Sequence, residues 1–170
     1  MYNYELSDSA LRTWIRLRQA SGAMEKVLST DLDKQCSTPE QLDVLATLDA
    51  MENPMTPGHL SDYLFREKHS MSAQLSRMSK AGTVRKTRSK KDQRVVKVVM
   101  TAKGKERLAK SKGVMGHARE IVTSALSEEE LAQFDKLLRK VRDKALERLG
   151  QKVEELPESF DLERFEGVAG

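Results

Sequence analysis

The side chains able to do chemistry in this sequence crowd between Arg66 and Lys112. Sixteen of the thirty Lys and Arg residues fall there beside three acids, Glu67, Asp92 and Glu106, a local charge of +13. The remainder carries −9 within an overall +4. A cationic stripe this dense repels itself unless a polyanion neutralises it, and nucleic acid is the usual one. Lys86, Arg88, Lys90 and Lys91 are suited to phosphate contacts. His69, Ser70, Ser72, Gln74 and Arg77, with Arg66 and Lys68 just before them, offer the donors and acceptors that read base edges or grip the backbone. A Gln can bond adenine with two hydrogen bonds. Arg94 follows Asp92 by two residues, and arginine is favoured in a narrow minor groove, where negative potential concentrates.

Other chemistries lack the residues they need. His59, His69 and His117 are far apart, without metal-ligand spacing. No Ser-His-Asp set, glycine-rich phosphate loop or carboxylate pair stands out, so no enzyme, cofactor or metal is expected. The single cysteine, Cys36, excludes an intramolecular disulfide framework. It would sense oxidants only with a depressed thiol pKa.

The elements that would position the basic residues are legible from caps and periodicity. Ser7 and Asp8 predict a helix to about Leu32, with Leu11, Trp14, Ile15, Leu17, Met24, Val27 and Leu28 near helical spacing. Thr38-Pro39-Glu40-Gln41 predicts a second, closed by Asn53-Pro54, and Thr56-Pro57 a third reaching Phe65. His69 to Lys80 predicts a polar helix, with Met71, Leu75 and Met78 on one face. The other face carries His69, Ser70, Ser72, Ala73, Gln74, Ser76 and Arg77. Ala81-Gly82 closes it. Thr83–Arg88 and Arg94–Met100 predict a hairpin with a basic tip. A long helix then runs from Ala102 to Leu126, weakened at Gly104, Gly113 and Gly116. The last helix follows the capping box at Ser127 and carries Leu131, Phe134, Leu138, Val141, Ala145 and Leu149 at near coiled-coil spacing.

Helix, helix, turn, polar helix and basic hairpin compose a mainly α winged helix-turn-helix with a two-stranded β-wing. The boundaries are an N-terminal dimerisation helix (1–35), the winged DNA-binding lobe (36–101), C-terminal dimerisation helices (102–150) and an acidic tail (151–170). At 38 % hydrophobic and 33 % charged, the chain suits amphipathic helices that bury their stripes against a second subunit. No stretch nears the roughly 18–20 apolar residues that span a bilayer. The start lacks signal-peptide character, so a cytoplasmic location is expected.

The sequence resembles the MarR family, the bacterial winged-helix regulators named for multiple antibiotic resistance. The resemblance rests on Thr38-Pro39-Glu40-Gln41-Leu42-Asp43-Val44-Leu45 and Thr56-Pro57-Gly58-His59-Leu60-Ser61-Asp62-Tyr63-Leu64. It continues in Leu75-Ser76-Arg77-Met78-Ser79-Lys80-Ala81-Gly82 and Thr83-Val84-Arg85-Lys86. Asp92-Gln93-Arg94, then Val98-Val99-Met100-Thr101-Ala102-Lys103-Gly104, is similar to the family's wing signature. The close match spans about residues 38–110, and the flanking helices match in arrangement only. The resemblance implies a homodimer on a pseudo-palindromic operator, with Arg94 in the minor groove and Asp92 orienting it. It implies a nucleoid-associated repressor of a bacterium or archaeon, often released by a small aromatic or phenolic molecule. Trp14 is the candidate wall of that effector pocket. Many relatives carry a basic residue where this chain has Ala73, so its operator does not follow by analogy. Two alternatives are a non-specific architectural DNA-binding protein and a helical adaptor for acidic partners.

Overall fold

Short oxygen side chains set most of the helix starts. In the computed structural model, which describes residues 7–33, 38–51, 54–89 and 92–151, the order is α1 (Ser9–Asp33), α2 (Pro39–Ala50), α3 (Pro57–Tyr63), α4 (Lys68–Lys80), β1 (Val84–Arg88), β2 (Val96–Met100), α5 (Ala102–Ala125) and α6 (Glu128–Arg148). Asp8 Oδ1 accepts from the amides of Ala10 and Leu11 at 2.8 and 3.0 Å. Thr38, Thr56 and Thr101 each accept from the amide three residues on, at 3.4, 3.1 and 3.1 Å. Ser127 and Glu130 close a reciprocal capping box. Cys36, Lys34, Asn53, Lys90, Lys91 and the tail from residue 152 lie outside the described residues.

The core lies in the winged lobe. Leu42, Val44, Leu45 and Leu48 of α2 meet Leu60 of α3, Met71, Leu75 and Met78 of α4, and Val84 and Val98 of the sheet. Leu108 and Val114 bring α5 onto this core, and Leu32 brings the end of α1. His117 Nδ1 lies 2.8 Å from Asp31 Oδ2, joining α5 to α1.

β1 and β2 are antiparallel, with Val84 opposite Met100 and Arg88 opposite Val96. Met55 adds an isolated bridge on the far edge of β2, its carbonyl accepting from the Val98 amide at 2.7 Å. The second strand begins at Val96, not Arg94. Arg94 is held in the turn, where the Val95 amide donates to the Asp92 carbonyl at 3.0 Å.

Two sequence expectations need correction. Gly104 is not merely a weak point in α5. A β-carbon there would run into the Thr83 carbonyl and the Met100 side chain, so glycine is what lets α5 start against the base of the wing. Gln74 does not stand on the outer face of α4. It is 9 % exposed, one helical position from Leu75, and its Oε1 accepts from Arg77 Nη2 at 2.6 Å. Its Nε2 is buried without a hydrogen-bond partner. The spacing of Met71, Leu75 and Met78 defines the centre of the apolar stripe but not its width, and position 74 lies on the stripe's edge.

Gly104→Ala is expected to destabilise the lobe by about 1–3 kcal/mol, the usual cost of overpacking, read as a lower midpoint in urea. Gln74→Met removes an orphaned buried amide, so it is expected to raise stability by about 1 kcal/mol. A lower midpoint for Gln74→Met would show that its bond to Arg77 outweighs the orphan.

Candidate nucleic-acid interface

The turn between α3 and α4 sets the pose of the polar helix. The Arg66 amide donates to the Ser61 carbonyl at 2.9 Å and the Phe65 amide to Asp62 at 3.3 Å, a Schellman closure of α3. Ser61 is itself buried. The chain therefore leaves α3 at a fixed angle, and α4 follows after Glu67. Unlike the starts of α2, α3, α5 and α6, that of α4 has no side-chain cap. Its N-terminal amides carry the positive end of the helix dipole, which favours an outside acceptor such as phosphate.

Met71, Leu75 and Met78 bury one side of α4 and orient the other outward. His69, Ser70, Ser72, Ala73 and Arg77 are exposed, as are Arg66 and Lys68 before them, while Ser76 is half-buried. The Ser76 hydroxyl donates to the Ser72 carbonyl at 2.9 Å and accepts from Lys86 Nζ at 3.4 Å. That contact brings β1 beside the outer face of α4.

The strand period explains how the wing becomes basic. Alternation puts Val84, Lys86 and Arg88 on one side of β1. Val84 is in the core, whereas Lys86 and Arg88 are exposed. At the tip, the Asp92 carboxylate accepts from the Arg94 backbone amide at 2.9 Å, and the Ser89 amide donates to Val95 at 2.9 Å. Asp92 thus shapes the backbone from which the exposed Arg94 side chain projects.

A carboxylate borders this cationic surface. The Thr38 hydroxyl, the local backbone amide and, more weakly, Arg66 and Arg77 hold Glu40 below the usual carboxylate range. Glu40 thus lies within electrostatic reach of Arg66 and Arg77. On α1, Trp14 is 54 % exposed, with the Arg18 guanidinium 5.4 Å from its ring centre. Among the described residues no cluster of His, Cys, Asp and Glu could hold a metal ion.

Sequence reasoning gave no role to Arg85, exposed on β1, or to Phe65. Phe65 is 62 % exposed with φ 50°, in the left-handed region. The available signal was a turn between two helices that contains no glycine.

Residues 38–95 match a family model described as MarR family. No curated protein matches the sequence. Solved structures share the fold. AbsC, a MarR family transcriptional regulator from Streptomyces coelicolor, is 25 % identical over 87 % of this chain and 99 % of its own, with a TM-score of 0.76. A mutant MarR from E. coli complexed with operator DNA is 22 % identical over 81 % of this chain and 99 % of its own, at 0.73. The organohalide-sensing RdhR transcriptional regulator, bound to 2,4-dichlorophenol, is 22 % identical over 86 % of both chains, at 0.75. With its lobe matched by the MarR family model and its helices and wing arranged as in these regulators, the chain has the winged helix-turn-helix fold of MarR family transcriptional regulators.

Proposed function

We propose that this regulator is a sequence-specific repressor that binds a pseudo-palindromic operator as a homodimer and is released by a small aromatic ligand. The observation that carries the DNA reading is the shared side of α4 and the wing, joined by Lys86 and Ser76. The outer face of α4 fits a major groove about 12 Å wide. In this reading His69, Ser70, Ser72 and Arg77 meet bases or phosphates, with Arg66 and Lys68 on the flanking backbone. Gln74 acts from beneath by holding Arg77. Lys86, Arg88, Lys90 and Lys91 neutralise phosphates, while Asp92 presents Arg94 to the minor groove.

Dimerisation is supported by the apolar surface outside the lobe. Leu11, Trp14, Leu17 and Val27 of α1 are exposed, as are Phe134, Leu137 and Val141 of α6 and Leu149 at its end. Large apolar patches left open on one chain mark interaction sites. Residues 1–35 and 102–150 supply these helices, and a second copy would place two α4 helices side by side. RdhR with 2,4-dichlorophenol bound supports an aromatic effector, and Trp14 with Arg18 over its ring offers a wall for one. No described helix is long and apolar enough to cross a membrane. In this reading the protein works on the nucleoid, in the cytoplasm of a bacterium or archaeon.

Fluorescence anisotropy on duplexes tiling the DNA upstream of its gene tests the proposal. One tile is expected to bind at least ~10³-fold tighter than scrambled duplex, with affinity falling steeply in salt and on adding 2,4-dichlorophenol. Arg94→Ala is expected to weaken that tile roughly tenfold or more without lowering the melting temperature, given about 1–3 kcal/mol per good specific contact. Equal binding to every duplex would establish an architectural protein instead. Val141→Asp, at a side chain 57 % exposed on α6, is expected to convert dimer to monomer in sedimentation velocity. Unchanged sedimentation would remove α6 from the interface.

A further inference from the structure

Three helices of this chain end in the same Schellman closure. After α4 the Thr83 amide reaches back to Met78 and the Gly82 amide to Ser79, both at 3.0 Å. After α6 the Gln151 amide reaches Leu146 at 2.9 Å and the Gly150 amide Glu147 at 3.1 Å. The left-handed residue is Gly82 in one and Gly150 in the other, at φ 77° and 68°. After α3 it is Phe65 at φ 50°, the one non-glycine residue with positive φ among those described. Glycine has no β-carbon and takes this conformation freely, whereas a side chain there is strained. A ring held in this way and 62 % exposed contributes little to the core. Its strain and its exposure both disfavour a purely structural role, and such outliers cluster where a ligand is met.

The surroundings narrow the ligand. Arg66, Lys68 and His69 are exposed just beyond Phe65, on the way into α4. The N-terminal residues of a reading helix are the ones that contact base edges. Those cations and the uncapped α4 amides can meet phosphates, but the Phe65 ring has no hydrogen-bond donor or charge, so the group it packs on is an uncharged, apolar one. The thymine C5-methyl is the apolar group that the major groove offers. We propose that Phe65 is a specificity-determining residue whose ring packs on a thymine methyl where α4 enters the major groove. This rests on the operator-binding reading above.

The test uses the full chain and its best tile. Phe65→Gly and Phe65→Asn both tolerate positive φ and remove the ring, so both are expected to melt at or above wild type. Each thymine of the tile is replaced in turn by deoxyuracil, which lacks the methyl. Wild type is expected to lose roughly 3- to 10-fold in affinity at one position per half-site, the scale of one apolar group withdrawn from contact. Both variants are expected to lose a similar factor on the thymine duplex and to be indifferent to deoxyuracil at that position. Variants that bind as wild type does, or that keep its preference for thymine over uracil, overturn the assignment while the operator reading stands. A wild-type protein that prefers no tile overturns both.

Discussion

The Thr101 hydroxyl sits within hydrogen-bonding distance of the carbonyls of Gly82 and Thr83, at 2.6 and 3.1 Å, and accepts from the Gly104 amide at 3.1 Å. The Thr101 amide donates to the same Thr83 carbonyl at 3.1 Å. At this point the end of α4, the first strand of the wing and the start of α5 meet with no spare volume, because Gly104 leaves none. The buried Thr83 hydroxyl in turn donates to the Met78 carbonyl at 3.1 Å, so the strand starts directly from the last turn of the helix. Buried and satisfied polar groups of this kind rigidify their surroundings. The angle between α4 and the wing, and hence which basic side chains share one side, depends on this junction.

Given that angle, the remaining features follow from local chemistry. The apolar stripe of α4 fixes which residues face out, and strand alternation makes the wing apolar at Val84 and basic from Lys86 onward. The Asp92 carboxylate shapes the tip. The charge imbalance between residues 66–112 and the rest of the chain is tolerable when phosphates face the basic part. The exposed ion pairs along α6, such as Arg139 with Asp135 at 2.8 Å, add little stability at the surface, so packing must hold that helix.

Much of this was legible in the sequence because it is local. A cap needs one oxygen side chain at one offset, and Thr38, Thr56, Thr101 and Ser127 all marked helix starts that the fold contains. The polar helix and the hairpin were legible from periods of 3.6 and 2. What was not legible depends on neighbours distant in sequence or on backbone angles. Gly104 looks like a weak helical residue until Thr83 is seen against it. Gln74 looks like an outward donor until the width of the buried stripe is known. Phe65 looks like the end of an apolar run until the closure of α3 places it at positive φ.

The central claim is that α4 and the wing act together, twice over, on one duplex. Hydroxyl-radical footprinting and methylation interference on the best-binding tile address it most directly. The account predicts two major-groove contact clusters with centres one helical turn apart, or a small multiple of it, where one turn is about 10–10.5 base pairs. Each cluster should be flanked on its outer side by minor-groove protection that disappears in Arg94→Ala. Continuous protection without phasing, or a single half-site, would contradict it.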